Sequence, residues 1–157
     1  MKVIFLDFDG VLTSSKAYGV LDPEKMELLW KILEETGASV VISSSWRGFD
    51  VENTKKSLVG DGDEYKNTCF RWVDKVVGIT PRPYVDDFID YEEWNRESEI
   101  KMYLDSHPEV EDFVILDDME DEFTDPRLLG KLVKTTIRYG MREEDAEKAI
   151  KMLNGNL

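Results

Sequence analysis

Short apolar runs alternate with amphipathic stretches along most of this chain. Val3–Leu6 is a compact apolar run that ends in Asp7 and reads as a buried parallel strand. Val40–Ile42, Lys75–Ile79 and Phe113–Leu116 repeat the pattern, and Leu132–Thr136 supplies a fifth candidate. Helical spacing fills the gaps. Asp22-Pro23-Glu24 offers an N-cap, a proline at the first helical position and a first-turn acid; Leu29, Ile32 and Leu33 then share a face, and Gly37 stands where a C-cap belongs. A weaker helical pattern runs from Val51 to Leu58. Arg96–Leu104 carries Ile100, Tyr103 and Leu104 on one side and ends before Pro108; the last helix does the same with Ala146, Ala149, Ile150 and Leu153. Gly60-Asp61-Gly62-Asp63 reads as a turn, and residues 81–95 as an acidic, aromatic loop. Trp30, Trp46 and Trp72 read as core or near-core, and the one histidine, His107, as a surface residue at a helix end.

Apolar strands alternating with helices predict an α/β fold. The expected architecture is a single three-layer, Rossmann-like domain over residues 1–157. Its sheet would have about five mainly parallel strands, with helices on both faces. Such sheets bind ligands at the C-terminal edge of their strands, so the polar residues ending each strand are the candidates for chemistry.

Asp7 and Asp9 come first, in Leu6-Asp7-Phe8-Asp9-Gly10. A carboxylate directly after a buried strand is costly unless something compensates it, and a divalent cation would. Gly10 lets the chain turn sharply and approach a ligand closely. Taken alone, the pair also reads as an acidic turn. Asp117-Asp118 follows the fourth apolar run, so two strands present carboxylates at one sheet edge. Hard oxygen ligands of this kind suit Mg²⁺ together with substrate phosphate oxygens. Glu120, Asp121, Glu122 and Asp125 follow, which fits a solvated acidic stretch too, but does not explain why the acids begin where the strand ends. Ser43, Ser44 and Ser45 end the second strand; small hydroxyls there suit a phosphoryl oxygen or simply a turn. Arg96 opens a helix just before the fourth strand and suits a phosphate or an aspartyl-phosphate, or the surface.

Composition narrows the partners. The chain has 157 residues and a formal net charge of −14. Such acidity repels nucleic-acid backbone and anionic lipid at long range, which argues against broad, non-specific nucleic-acid binding but not against a local basic site. Cys69 is the one cysteine, so no internal disulfide forms and a reducing compartment is expected. With no apolar run of membrane-span length and an N-terminal run too short for a signal peptide, the expected location is cytoplasmic.

In order, Asp7-Phe8-Asp9-Gly10-Val11-Leu12-Thr13, Val40-Val41-Ile42-Ser43-Ser44-Ser45, Arg96 and Ile115-Leu116-Asp117-Asp118 resemble the four motifs of the haloacid dehalogenase (HAD) superfamily over nearly the whole chain. Ser44-Ser45-Trp46-Arg47 and Gly140-Met141-Arg142-Glu143-Glu144-Asp145-Ala146 resemble a smaller branch, the HAD domains of Swiss Army knife RNA-repair proteins and their stand-alone relatives. The resemblance implies a Mg²⁺-dependent phosphatase, a phosphoric monoester hydrolase. Asp7 would be the nucleophile that forms an aspartyl-phosphate, and Asp9 the general acid and then base. Asp7, Asp9 through its carbonyl, and Asp118 would bind the metal, with Asp117 in support. Ser44 would hold a phosphoryl oxygen, with Ser43 as the alternative. Arg96 stands where most of the superfamily has lysine, with Lys101 as the alternative. The implied substrate is a phosphorylated small molecule, a nucleotide or a nucleic-acid end. About 30 residues separate the first motif from the serines, so a large cap is not expected. The loop at 81–95, with Tyr84, Tyr91 and Trp94, is the candidate lid, its aromatics expected to pack more than to stack. A competing assignment is a non-catalytic phosphate- or metal-binding signalling module of the same fold, which the presence of both Asp7 and Asp9 disfavours. A dehalogenase usually lacks aspartate at the position of Asp9.

Overall fold

The computed structural model describes residues 1–17, 19–81 and 95–155. Tyr84, Tyr91 and Trp94 of the expected lid lie outside them. Five strands form one sheet: β1 (Lys2–Leu6), β2 (Ser39–Ile42), β3 (Val76–Ile79), β4 (Asp112–Asp117) and β5 (Leu132–Lys134), in the order β3-β2-β1-β4-β5. Every pairing is parallel. The chain leaves β1 toward β2 on one side and later enters β4 on the other. The strand order therefore reverses between β1 and β4, and the crevice at such a reversal is where this architecture places its ligands.

The two faces of the sheet follow from the two-residue period of its strands. Ile4, Leu6, Val40, Ile42, Val114, Leu116 and Val133 form one core cluster with Met26, Leu29, Ile32 and Leu33 of α1 (Pro23–Thr36) and Ala146, Ala149 and Leu153 of α5 (Glu143–Leu153). Val3, Phe5, Val41, Ile115 and Leu132 form the other, covered by Ile100 and Tyr103 of α3 (Arg96–Ser106), Phe123, and Leu128 of α4 (Pro126–Leu129). α2 (Val51–Val59) lies over the first cluster through Val51, Leu58 and Val59. Phe5 anchors the second cluster, edge-to-face with both Tyr103 and Phe113 at 5.7 Å.

The helix signals act as their chemistry dictates. The Asp22 side chain accepts from the Glu24 N–H, Pro23 opens α1, and Gly37 closes it at φ 71° while donating to the Leu33 carbonyl. Asn95 caps α3 by accepting from the Ser98 N–H. Element ends shift by one or two residues. β4 reaches Asp117, which pairs with Lys134 inside the ladder instead of following it. β5 stops at Lys134, two residues short of Thr136, because Thr136 folds back to bridge Gly140. α3 continues past Leu104 to Ser106. His107 is half-buried rather than a surface residue, stacked on Tyr103 at 3.8 Å. Residues 64–75, which carry no clear period, form two 3-10 turns, Glu64–Asn67 and Cys69–Lys75; the second buries Trp72 and Val73 beneath the sheet.

Between β1 and β2 the described residues form a single 3-10 turn (Ser15–Ala17) and α1, whose apolar face is spent on the sheet. Among the described residues no helix is long and apolar enough to cross a membrane. Phe5→Ala is expected to cost about 3–5 kcal/mol by removing the shared partner of two aromatic contacts. Val20→Ala, at an exposed position, is expected to stay within about 0.5 kcal/mol. Urea denaturation of the two variants checks both.

Candidate active site

The ladder between β1 and β4 sets two acids side by side. The Asp7 N–H donates to the Leu116 carbonyl at 3.1 Å, which brings the ends of the two strands level. Asp7 is 4% exposed and Asp117 fully buried. One guanidinium nitrogen of Arg96 reaches both, Asp7 Oδ1 at 3.1 Å and Asp117 Oδ2 at 3.2 Å. Asp7 Oδ1 also accepts from the Phe8 N–H at 2.8 Å, and Asp117 Oδ1 from the Met119 N–H at 2.8 Å. Half-buried Asp118 completes the group: carboxylate oxygens of Asp7, Asp117 and Asp118 all lie within 4.8 Å of one another.

The three carboxylates have one guanidinium among them, which contacts two, and the electrostatics record the imbalance. Burial, only partly opposed by Arg96 and reinforced by Asp117 and Asp118, pushes the Asp7 carboxyl up to about 7. Burial likewise raises Asp117 to about 6, against the pull of Arg96 and the Met119 N–H. Glu122, on the 3-10 turn Glu120–Glu122, is raised by burial, with Glu99, Asp121 and Asp118 adding to the effect. Burial would lower Arg96, but Asp7 and Asp117 outweigh it and hold the guanidinium charged. This donor set fits a hard divalent cation: oxygen ligands only, converging, with negative charge that the protein leaves uncompensated.

Gly10 makes the third acid possible. Its φ is 78°, and a Cβ there would collide with the Asp118 carboxylate. The turn around it is fixed from several sides. The Phe8 carbonyl accepts from the N–H groups of Val11, Leu12 and Thr13; the Gly10 N–H donates to Thr13 Oγ1 at 3.1 Å, and Thr135 Oγ1 donates to the Gly10 carbonyl.

The Asp9 side chain lies apart from the acid group. Its carboxylate does not join those of Asp7, Asp117 and Asp118. The turn carries it past the strand end, where Asp9 Oδ2 accepts from the indole N–H of Trp46 at 3.0 Å. Trp46 in turn packs edge-to-face on Phe8 at 5.5 Å. Of the serines, Ser43 and Ser44 are buried and Ser45 is exposed. The Ser43 N–H donates to the Leu6 carbonyl, which sets it level with Asp7 in the sheet, and its hydroxyl oxygen has no hydrogen-bond partner among the described residues. Ser44 Oγ accepts from the Trp46 N–H at 3.2 Å, leaving its own proton available to a ligand oxygen. Lys101 pairs with Asp125 at 2.9 Å, and of the two candidate cations Arg96 is the one that touches Asp7.

Arg47 organises the rest, although the sequence marks it only as the end of a short motif. It is 5% exposed and donates to the carbonyls of Thr80 (2.9 Å), Ser43 (3.3 Å), Ser44 (2.8 Å) and Pro81 (3.3 Å), while pairing with Glu99 of α3. One side chain thus ties the serine loop to the end of β3 and to the helix that begins with Arg96. Trp46, Arg47, Glu99, Glu122 and Thr135 all shape the site without a local sequence signal stronger than a Trp-Arg pair after a strand.

The profile of the family described as "HAD domain in Swiss Army Knife RNA repair proteins" matches residues 3–146. The chain belongs to that family. No curated protein and no solved structure matches it. The span matched to the HAD domain runs from β1 into α5, and so contains every residue of the site described above. The buried acid group of this HAD domain sits at the sheet edge and strand reversal where its ligands are expected.

The raised carboxyls give a signed pH dependence. Without divalent metal, the folded protein holds extra protons between pH 3.8 and about 7. Its stability is therefore expected to fall as pH rises through that window. Asp7→Asn is expected to flatten the fall and to raise Tm at about pH 8. Added Mg²⁺ is expected to raise the wild-type Tm there and to do so far less in Asp118→Asn. Thermal melts across pH, with and without metal, check all three.

Proposed function

We propose that this HAD domain is a Mg²⁺-dependent phosphomonoester hydrolase that works through an aspartyl-phosphate on Asp7. The observation that carries the proposal is the division between the two motif aspartates. Asp7 is buried in the acid group against Arg96, whereas Asp9, two residues on, is held out of that group by Trp46. This difference in environment supports a nucleophile's role for the first carboxylate and proton transfer for the second.

Arg96 and the Phe8 N–H both engage Asp7 Oδ1, so Oδ2 is the oxygen assigned to attack. It attacks phosphorus as the ester P–O bond breaks, and Asp9 gives its proton to the leaving oxygen. Asp9, now a carboxylate, takes a proton from the water that attacks the aspartyl-phosphate. The bond between phosphorus and Asp7 breaks, releasing inorganic phosphate and restoring both acids. Arg96 lies beside the developing charge on the phosphoryl oxygens, and the Ser44 hydroxyl, with Ser43 behind it, donates to one of them. Asp7, Asp117 and Asp118, joined by the backbone carbonyl of Asp9, would hold Mg²⁺, which neutralises charge between phosphate and nucleophile.

The RNA-repair context in the family's description supports a nucleotide or a nucleic-acid end as substrate over an unrelated small phosphate ester. The one free, half-buried cysteine, Cys69, supports a reducing, cytoplasmic setting. Wild-type protein is expected to release phosphate from a generic aryl phosphate only with Mg²⁺. Asp7→Asn is expected to lower kcat by at least about 1,000-fold. Asp9→Asn is expected to harm esters of poor leaving groups more than the aryl ester, whose oxygen needs little protonation. Metal-dependent turnover that survives Asp7→Asn would overturn the proposal.

A further inference from the structure

Charge is unevenly spread along this acidic chain. Residues 126–142 contain Arg127, Lys131, Lys134, Arg138 and Arg142 and no acid, in a protein with 34 acidic residues. The structure commits most of these cations to neighbours: Arg127 to Asp125, Lys131 to Asp112, Lys134 to Glu120, and Arg142 loosely to Glu144 at 3.5 Å. Arg138 has no ion-pair partner among the described residues. Its guanidinium lies 5.1 Å from the ring centroid of Tyr139, and that of Arg142 lies 3.9 Å from the same ring. Two cations thus lie against one aromatic ring, and of the two only Arg142 has a carboxylate partner among the described residues. Tyr139 is 41% exposed and Ile137 54% exposed, so the loop presents apolar surface as well as charge.

The loop is also built onto the turn that carries Asp9. Thr135 donates to the Asp117 carbonyl through its N–H and to the Gly10 carbonyl through its hydroxyl. Ser15 Oγ donates to the Arg138 carbonyl at 3.1 Å, and the Met141 N–H to the Val11 carbonyl at 2.8 Å. Gly140, at φ 66°, has no room for a Cβ against the Thr13 carbonyl. Exposed cations and a ring are therefore held on a pinned scaffold beside the site, which reduces the ordering cost of binding.

We propose that residues 135–142 dock a single-stranded RNA end, with Arg138 and Arg142 on backbone phosphates next to the terminal one and a base stacked on Tyr139. This proposal rests on the phosphohydrolase function with a nucleic-acid end as substrate, and adds how such an end is gripped. The acidic remainder of the surface confines the contact to a few nucleotides at the end.

The test uses Asp7→Asn protein with Mg²⁺ and fluorescent single-stranded RNA oligonucleotides phosphorylated at either end, read by anisotropy. The expected result is tighter binding of one phosphorylated oligonucleotide than of a mononucleotide. Arg138→Ala should weaken it and reduce the slope of log K against log salt by about 1. Tyr139→Ala should weaken it by about 5- to 100-fold, with Tyr139→Trp restoring it. Melting curves confirm that each variant is folded. Aryl phosphate turnover by the wild type separates the two levels of the argument. Turnover combined with RNA binding that is no tighter than a mononucleotide's, or that is insensitive to Arg138 and Tyr139, overturns the docking surface alone. Loop-dependent RNA binding without turnover upholds the surface and overturns the hydrolase. Neither activity overturns both.

Discussion

Three clustered carboxylates, two of them on one guanidinium, at the seam between β1 and β4 are the constraint around which this molecule is arranged. Buried like charges are destabilising, and nothing in the packing of the core requires them there. Such a cluster is compatible with a site that takes up a cation. The surrounding architecture exists to hold them at short range. Parallel pairing brings Asp7 and Asp117 level, Gly10 removes the Cβ that would exclude Asp118, and Arg96 reaches both strand ends. Arg96 is also placed against its own helix, since a cation at the first position of α3 faces the positive end of the dipole. Two buried carboxylates compensate for that placement.

Environment then divides labour between residues of one type. Asp7 lies in the dry, charged seam, whereas Asp9, two positions later, sits half-buried beneath an indole N–H. Arg47 plays the complementary mechanical role. By binding four carbonyls and Glu99, it ties the serine loop, the end of β3 and the start of α3 together. Its buried charge is satisfied on every side, which is the condition under which such a group rigidifies a site.

Much of this was legible in the chain because its signals are local. Five apolar runs, an Asp-Pro-Glu helix start and a glycine stop are set by short-range sterics and hydrogen bonding, and they point to the five-stranded parallel sheet and both helical layers. The acids at strand ends were legible for the same reason: they interrupt apolar runs. What was not legible is long-range. Trp46 reaches Asp9 across 37 positions and Arg47 reaches Glu99 across 52, and no local pattern encodes such partners. Nor can a sequence show which way a turn aims its side chain, so the indole partner of Asp9 leaves no local mark. The ambiguity between Arg96 and Lys101 was of the same kind, five residues apart on one helix, and only the partners of each, Asp7 and Asp125, separate them.

The central claim is that phosphorus is attacked twice, first by Asp7 and then by water. The most direct measurement is the stereochemical course at phosphorus, using an isotopically chiral phosphomonoester and an acceptor alcohol in place of water for the second step. Two in-line displacements predict net retention of configuration. Net inversion would mean a single direct displacement, and would contradict the assignment of Asp7 as the nucleophile.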